Sequence, residues 1–353
     1  VRPSATEFGR FATAIAGRYS GQTAGLPRVR YWEVWNEPNV SLYLMPQYQG
    51  GRAVAAVWYR KLVNSFSDAV HRVHDDNVVI AGGLSPFSVR NRYVDTASPL
   101  GFMRSLLCLS AGAVPRPTCD DPVRFDAWSV HPYTSGGPTH HAYNHNDLSL
   151  GDLPKVRPLL QAALRLGHLK SAVPVQFWVT EFSWDTKPPD PNGVPVDLQA
   201  RWVAEALYHA WNDGVSMFTW FTLRDQPLKT SDFQSGLYFR GRTVGADRAK
   251  PTLTAFSFPF VAYRQANGVF VWGRTPSSTA GTVAIEARTA GATTTVAYLH
   301  ADRYGIFNGV VRKGATATDF RARSATRTSL EFALTPPANE NLPATPFGVG
   351  SRK

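Results

Sequence analysis

The sequence predicts an α/β fold of parallel strands joined by crossover helices, followed by a smaller all-β module. Between residues 5 and 264, short apolar strand-like segments alternate with helix-like segments, which is typical of a parallel sheet. From Gly268 onward, short strand-like runs are separated by glycine, serine and threonine turns, as in a small β-sandwich. A chain of 353 residues suits one large domain plus one small domain.

The individual elements follow from the spacing of apolar residues. Residues 7–19 carry apolar side chains at helical spacing and predict an amphipathic helix before the first strand. The predicted strands are rich in β-branched and aromatic residues and comprise 30–37, 78–83, 125–131, 175–181 and 215–221. The helices predicted to follow them are 52–74, 99–110, 154–167, 197–213 and 251–264. The all-β module is predicted to contain strands 269–272, 282–287, 294–298, 305–311 and 319–323.

The net charge of +11 is concentrated after residue 239. A nucleic-acid-binding protein would combine a basic stripe with base-stacking aromatic residues, whereas these arginines are scattered among strand-like residues. We therefore predict no nucleic-acid partner and interpret the basic residues as a solvated face. Binding to an anionic polymer or a cell surface is the alternative. Because no apolar run approaches the roughly 20 residues that span a bilayer, we also predict no membrane insertion.

Cys108 and Cys119 are the only cysteines, and they flank a proline-containing segment at residues 114–118. Their spacing differs from the Cys-x-x-Cys of zinc and redox sites. We predict a disulfide between them, which would favour an exported protein. The alternative is two unpaired thiols in a reducing compartment.

Two short motifs carry the functional prediction. They are Trp-Asn-Glu-Pro-Asn at residues 35–39 and Trp-Val-Thr-Glu-Phe at residues 178–182. Each places one glutamate, Glu37 or Glu181, where a predicted strand passes into a loop. Two carboxylates presented in this way are what hydrolysis of a glycosidic bond with retention requires.

These motifs resemble those of the clan A glycoside hydrolases, and most closely the β-xylosidase and α-iduronidase family and its bacterial relatives. In that clan an Asn-Glu pair ends strand four and supplies the acid/base, which Asn36-Glu37 matches. A second glutamate ends strand seven as the nucleophile, which Glu181 matches. The clan also tends to place a histidine or tyrosine after strand six and an aromatic residue at the end of strand eight. His131-Pro-Tyr133 and Trp220 match these two positions, and the resemblance covers residues 5–264.

The resemblance implies a (β/α)8 TIM barrel of which this chain holds strands four to eight and lacks the first three. Five strands cannot close an eight-stranded barrel, so we expect the chain to be an N-terminal truncation of a larger enzyme. The predicted domains are a catalytic barrel over residues 1–266, a β-sandwich over 267–340 and an irregular tail over 341–353. A closed barrel, or three strands within residues 1–29, would contradict this expectation.

The resemblance also implies a role for each candidate residue. Glu37 would act as general acid and then as general base, and Glu181 would be the nucleophile. Asn36 would donate a hydrogen bond to the sugar hydroxyl beside the anomeric carbon, and His131 and Tyr133 would orient Glu181. Structural salt bridges, backbone capping and core packing are the alternatives for these residues.

Four further side chains are predicted to contact the substrate. Trp220 would stack on a sugar ring, with simple core packing as the alternative. Trp184, Asp185 and Arg224 lie in neighbouring loops and are candidate substrate contacts.

We predict neither a metal nor a cofactor. His140, His141 and His145 lie in one loop but lack a strict ligand spacing. Nucleotide-binding and serine-hydrolase motifs are missing from the sequence.

The leading prediction is a retaining glycosidase, secreted or extracytoplasmic in a bacterium, that acts on poly- or oligosaccharides. The alternative is a non-catalytic carbohydrate-binding protein or pseudo-enzyme. The sugar, the anomer, the choice between exo and endo action, the role of the β-sandwich and the oligomeric state stay open.

Overall fold

A computed structural model of the chain describes residues 2–91, 93–289, 291–314 and 316–344. The chain divides into two compact units. The first runs to Tyr133 and also includes His141–Phe182 and Asp213–Thr219. The second consists of Thr134–His140, Ser183–Asn212 and the residues from Trp220 onward. Both candidate glutamates therefore lie in the first unit.

The first unit is built on a five-stranded parallel sheet. Its strands lie side by side in chain order and are β1 (Tyr31–Glu33), β2 (Val78–Leu84), β3 (Ala127–Val130), β4 (Gln176–Val179) and β5 (Met217–Phe218). All four pairings are parallel, which confirms the predicted parallel sheet. In the described part of the chain, β1 pairs only with β2 and β5 only with β4, so both edges are open.

The described residues of this unit form four helices: α1 (Ala5–Arg18), α2 (Ala55–Val73), α3 (Pro99–Leu106) and α4 (Val156–Arg165), the last preceded by a 3-10 turn over Leu150–Lys155. α1 begins after Ser4, whose side chain accepts a hydrogen bond from the Glu7 amide as an N-cap. Tyr59 of α2 is fully buried, and its hydroxyl donates to Val34 O (2.6 Å) and accepts from the Gly82 amide (3.0 Å). These two hydrogen bonds join helix α2 to the backbone just after β1 and to the backbone of β2 at Gly82.

Three short strand pairs and a disulfide complete the first unit. The pairs are Tyr48–Gln49 with Arg52–Ala53, Val89–Arg90 with Asp95–Thr96, and Val123–Arg124 with Leu169–Lys170. Cys108 and Cys119 form a disulfide after α3, which confirms the predicted pairing. The buried Arg60 guanidinium donates to the sulfur atoms of both cysteines (2.6 and 2.8 Å).

The second unit, where the structure describes it, contains two helices and an antiparallel β module. The helices are α5 (Val196–Asn212) and α6 (Pro251–Ser257). The strands are β6 (Phe260–Gln265), β7 (Gly268–Arg274), β8 (Gly281–Thr289), β9 (Ala292–Ala301), β10 (Ile306–Val311), β11 (Asp319–Ser324), β12 (Arg327–Thr328) and β13 (Phe332–Ala333). One sheet has the order β6-β7-β10, and the other has the order β9-β8-β11-β12 with β13 also on β11. Side chains from both sheets, including Trp272, Phe307, Ile285 and Phe320, share one apolar core, as expected for a sandwich.

The predicted helix over residues 251–264 is wrong in its second half. Helix α6 ends at Ser257, and residues 260–265 form β6, which pairs with β7 in a hairpin. Pro259 cannot donate a helical hydrogen bond, and the aromatic and β-branched residues after it favour a strand. The predicted domain boundary at residue 266 falls in the turn of this hairpin and stays a prediction. The unit also holds a 3-10 turn, Val244–Ala246, and two short pairs, Thr186–Lys187 with Val194–Pro195 and Tyr238–Phe239 with Arg248–Ala249.

Candidate active site

The strand that carries the first motif ends earlier than predicted. β1 stops at Glu33, and Trp35 and Glu37 adopt φ angles of 73° and 43°, in the left-handed region that L-residues rarely occupy. The Glu37 amide still donates to Gly83 O (3.0 Å), and the Glu37 carbonyl accepts from the Val40 amide (2.9 Å). A tight turn beyond the carboxyl end of the sheet therefore presents the Glu37 carboxylate, and strain of this kind is typical of functional sites.

The last asparagine of the first motif holds this turn in place. Asn39 is fully buried, and its amide nitrogen donates to Ser85 O (2.9 Å) and Ala97 O (3.0 Å). Its side-chain oxygen accepts from the Ser85 amide (2.9 Å). Asn36, by contrast, is exposed immediately before Glu37. One asparagine of the motif thus supports the backbone, and the other is available to a ligand.

A pair of glycines lets the neighbouring strand approach the site closely. Gly82 and Gly83 have φ angles of 110° and 55°, at the point where the register between β2 and β3 shifts. A Cβ atom at Gly82 would lie 2.2 Å from Ser129 O. At Gly83 it would lie 3.1 Å from Glu33 Oε1 and 3.5 Å from His131 Nε2. This bulge therefore requires glycine at its first position and leaves little room for a side chain at its second.

The two candidate glutamates meet at one imidazole. His131 Nδ1 lies 3.2 Å from Glu37 Oε1 and 3.9 Å from Glu181 Oε2. The Tyr133 hydroxyl donates to Glu181 Oε1 at 2.8 Å. The His131 side chain is 4% exposed, whereas those of Glu37 and Glu181 are 15% and 27% exposed. Two solvent-accessible carboxylates thus surround a buried histidine, and the structure brings these four predicted residues together.

The hydrogen bonds divide the orienting roles differently from the prediction. Tyr133 contacts Glu181, as expected. His131 Nδ1 is within hydrogen-bond distance of Glu37 Oε1 (3.2 Å), whereas Glu181 Oε2 is 3.9 Å away, so the position of His131 favours Glu37 over the predicted Glu181.

Tyr43 is a residue near the site that the sequence did not indicate. It lies in the loop that follows the first motif, and about half of it is exposed. Partial burial raises the pKa of the Tyr43 phenol, and the negative charges of Glu37 and Glu181 raise it further. Tyr43 is therefore within electrostatic reach of both carboxylates, although no motif marks it.

Glu33 is a third carboxylate that the sequence reasoning missed. Its Oε1 atom accepts hydrogen bonds from Ser129 Oγ (2.7 Å) and Thr180 Oγ1 (3.0 Å). Alternation along β1 was a usable signal, because Trp32 is buried while Glu33 on the opposite face is exposed. Glu33 on that face forms a hydrogen-bonded network with Ser129 and Thr180, which lie at the ends of two other strands.

The two predicted tryptophan contacts lie in the second unit and are buried there. Trp184 and Trp220 are 4% and 8% exposed, and their ring centroids are 6.4 Å apart. The Trp184 indole donates to Gly136 O (3.0 Å), and the Trp220 indole donates to Ser235 O (2.7 Å). Their predicted roles toward a substrate stay predictions.

Arg224 also belongs to the second unit. Its guanidinium donates to both carboxylate oxygens of Asp247 (2.6 and 2.8 Å), and this bidentate pair raises the pKa of the arginine. Arg224 therefore has a defined partner within its own unit, and contact with a substrate stays a prediction.

The clustered histidines have local hydrogen-bond partners. His140 bonds with Ser135 (3.1 Å), and His141 bonds with Asp152 (2.8 Å). Within the described ranges, no group of three or more histidine, cysteine, aspartate or glutamate side chains is arranged to hold a metal ion. None of the described helices is both long and apolar enough to cross a membrane.

No known protein family matches the chain, and no curated protein matches it. Among solved structures, the chain is similar to a GH39 enzyme from Xanthomonas axonopodis pv. citri (14% identity, TM-score 0.46), covering 88% of this chain and 71% of that one. It is also similar to a monomeric β-xylosidase from Caulobacter crescentus (16% identity, TM-score 0.44), covering 81% and 62% of the two chains. A conserved exported protein from Bacteroides fragilis is a third neighbour (15% identity, TM-score 0.44), with 86% and 70% covered.

The chain thus spans less than two thirds of the length of the Caulobacter enzyme. These likenesses are structural and assign no activity to this chain.

Proposed function

We propose that this chain is a glycoside hydrolase that cleaves O-glycosidic bonds of poly- or oligosaccharides with retention of configuration. One observation carries the proposal: a single nitrogen, His131 Nδ1, lies within 4 Å of an oxygen of both Glu37 and Glu181. The two carboxylates therefore flank one small volume that solvent can enter. A retaining glycosidase needs its two carboxyl groups about 5–5.5 Å apart, and an inverting enzyme needs about 6.5–9.5 Å. Because His131 Nδ1 lies 3.2 and 3.9 Å from the two oxygens, these oxygens are at most about 7.1 Å apart, which excludes most of the inverting range and supports retention.

The proposed reaction has two displacements. In the first, Glu181 attacks the anomeric carbon while Glu37 gives its proton to the glycosidic oxygen, so the C–O bond breaks and a glycosyl ester forms on Glu181. In the second, the Glu37 carboxylate takes a proton from water. That water attacks the anomeric carbon and releases Glu181 together with the free sugar.

The neighbouring side chains support these roles by orientation. The Tyr133 hydroxyl holds one oxygen of Glu181, which directs the other toward the space near His131. The strained turn at Glu37 fixes the direction of the acid/base. We assign to Asn36, which is exposed beside Glu37, the hydrogen bond to a sugar hydroxyl.

We place this site on the second part of a (β/α)8 barrel. Support comes from five parallel strands in chain order, with both carboxylates beyond their carboxyl ends, where barrel enzymes carry their catalytic residues. The Cys108–Cys119 disulfide supports an extracytoplasmic location in a bacterium, because disulfides persist in oxidising compartments.

The test is hydrolysis of aryl β-xylosides, β-glucosides and α-arabinofuranosides by the wild type, Glu37→Ala and Glu181→Ala. Loss of a general acid/base costs roughly 10²–10⁴-fold in kcat, so we expect the kcat of the Glu37→Ala variant to be lower than that of the wild type by that factor. Glu181→Ala should be at least as impaired. Glu7→Ala, which removes a glutamate that is 64% exposed on α1, is the control and should retain wild-type activity.

Two results would contradict the proposal. Hydrolysis that survives both substitutions would rule out the proposed carboxylates. A wild type that binds xylo-oligosaccharides in calorimetry but hydrolyses none of the panel would favour a carbohydrate-binding protein instead.

A further inference from the structure

We infer that Glu33 is a positioning residue that sets the spacing between the two catalytic carboxylates; this inference rests on the proposed function. Glu33 lies on β1, four residues before Glu37, and nothing in the two-carboxylate mechanism requires it. One of its oxygen atoms, Oε1, accepts two hydroxyl hydrogen bonds, from Ser129 (2.7 Å) and Thr180 (3.0 Å). Because Glu33 lies on the strand that leads to Glu37, these two bonds link that strand to the residues Ser129 and Thr180 of two other strand ends.

The two hydroxyl donors lie next to the functional residues of other strands. Thr180 immediately precedes Glu181, and Ser129 lies two residues before His131 on β3. A single carboxylate oxygen thus connects β1, which leads to the acid/base, with the strand ends that carry the histidine and the nucleophile.

The network also includes β2. Ser129 Oγ accepts a hydrogen bond from the Gly83 amide (2.7 Å), and the Gly83 carbonyl accepts from the Glu37 amide (3.0 Å). A continuous series of hydrogen bonds therefore runs from Thr180 through Glu33, Ser129 and Gly83 to the backbone of Glu37. Each link is short enough to restrict movement of the strand ends.

An anionic acceptor suits this position better than a neutral one. Hydrogen bonds to an ionised group are roughly twice as strong as those between neutral groups, so Glu33 can fix two hydroxyls with one atom. β1 and β4 are not adjacent, since β2 and β3 lie between them, so backbone pairing alone does not tie the two strand ends together directly. The side-chain network provides that direct connection.

Loss of the network is expected to affect the chemical step rather than substrate binding. A misplacement of about 1 Å at reacting groups can cost on the order of 100-fold in rate. We therefore expect Glu33→Ala to reduce kcat by roughly 10–100-fold while KM changes by less than about threefold. Glu33→Gln keeps an oxygen acceptor for both hydroxyls, although a neutral one, and should recover part of the lost kcat.

The experiment compares Glu33→Ala, Glu33→Gln, Thr180→Val and the double variant Glu33→Ala/Thr180→Val, with Glu7→Ala as control. Aryl-glycoside kinetics give kcat and KM, thermal melts confirm folding, and long-range ¹H–¹⁵N spectra of histidine side chains report on His131. The double variant should be scarcely worse than Glu33→Ala, because both substitutions break one network. The His131 resonances, assigned with His131→Asn, should shift in Glu33→Ala and return toward wild type in Glu33→Gln.

The spectra keep this inference separate from the proposed function. If the wild type hydrolyses no glycoside, the proposed function fails, and the His131 resonances alone then decide whether Glu33 organises the site. The inference is overturned if folded Glu33→Ala leaves the His131 resonances unchanged. It is equally overturned if an active wild type and Glu33→Ala share the same kcat, or if Glu33→Gln is as impaired as Glu33→Ala.

Discussion

At the scale of single residues, the site depends on backbone conformations that few residues adopt. Trp35, Glu37 and Gly83 all have positive φ angles within a short distance of the candidate carboxylates. Trp35 is stabilised by edge-to-face packing on Phe8 (5.7 Å) and by a hydrogen bond from its indole to Tyr43 O (3.3 Å). Strain at these positions is therefore offset by packing and hydrogen bonding around them.

Replacing Gly83 with alanine should impair the site more than the fold. A positive φ costs an alanine about 1–2 kcal/mol of stability, and the new methyl group would lie 3.1 Å from Glu33 Oε1 and crowd that carboxylate. We expect a stability loss of that size together with a fall in kcat on the order of 100-fold. Gly25→Ala is the matched control, because Gly25 has φ of 76° but open space around the missing side chain. Equal activity in the two variants, measured on aryl glycosides, would contradict the close-approach argument.

Elements of the first unit are joined by buried polar contacts between strands and helices. Asp126, just before β3, accepts from the Val79 amide of β2 (2.9 Å) and from Ser171 Oγ (2.8 Å). His71 of α2 lies 3.2 Å from the same carboxylate. The hydrogen bond to Asp126 raises the pKa of His71. Burial alone would raise the pKa of Asp126, but hydrogen bonds from His71 and other groups outweigh burial and lower it. This contact makes the attachment of α2 to the sheet sensitive to pH.

The His71–Asp126 contact should stabilise the fold most below neutral pH. A histidine with a raised pKa stabilises the folded chain when protonated, so its contribution is complete below its ordinary value of 6.5 and is lost as pH rises through the raised value. Asp126 stays ionised over this range because its own pKa is lowered. The stability lost on His71→Gln should therefore be larger at pH 5.5 than at pH 8.5 in urea unfolding. The exposed His145→Gln is the control, and a loss independent of pH would refute the ion pair.

The disulfide should contribute substantially to the stability of the loop after α3. It closes a loop with a sequence separation of 11, for which chain-entropy arguments give about 2–3 kcal/mol. The double substitution Cys108→Ser/Cys119→Ser should lower the free energy of unfolding by that amount. Wild-type protein in reducing buffer should unfold at the same denaturant concentration as the double variant. An unchanged midpoint in both samples would show that the crosslink adds no stability.

The elements were largely predictable from sequence, and their ends were less so. Apolar runs identified all five parallel strands, most clearly β2, β3 and β4, because a strand buried on both faces leaves a continuous apolar pattern. The end of β1 was misplaced since a left-handed turn at Trp35 has no compositional signal in an aromatic-rich run. The strand at residues 260–265 was missed because Pro251 and the residues after it also fit a helix.

The candidate site was predictable where its chemistry resides in short motifs. Glu37 and Glu181 stand at strand ends, and parallel strands bring such ends together. Glu33 was overlooked because its role depends on hydroxyl partners on two other strands, which only the register of the sheet reveals. Tyr43 was overlooked because a loop, rather than a periodic element, carries it toward the carboxylates.

At the scale of the whole molecule, the open sheet is the feature that most affects behaviour in solution. In the described residues, one side of β1 has no strand partner, and Tyr31 on this strand is 55% exposed. An unpaired edge strand with an exposed aromatic residue is a template for association with another chain.

We therefore expect this chain to self-associate as its concentration increases, in sedimentation velocity experiments. Tyr31→Lys should reduce that association, because an edge charge disfavours strand pairing between chains. Tyr304→Lys is the matched control, since Tyr304 is also 55% exposed but lies in a turn rather than on an edge strand. A monomer that melts sharply and reversibly at all concentrations would contradict this expectation.

In the proposed mechanism Glu181 becomes covalently bonded to the sugar, and trapping this glycosyl-enzyme tests the mechanism directly. In a 2-deoxy-2-fluoro glycoside the fluorine slows both displacements, because it destabilises the oxocarbenium-like transition state. A good leaving group keeps the first displacement fast enough for the glycosyl ester to accumulate. Peptide mapping by mass spectrometry should then locate one glycosyl adduct on Glu181 in the wild type and none in Glu181→Gln. The opposite result is active hydrolysis without an adduct, with ¹H NMR showing an inverted anomer as the first product.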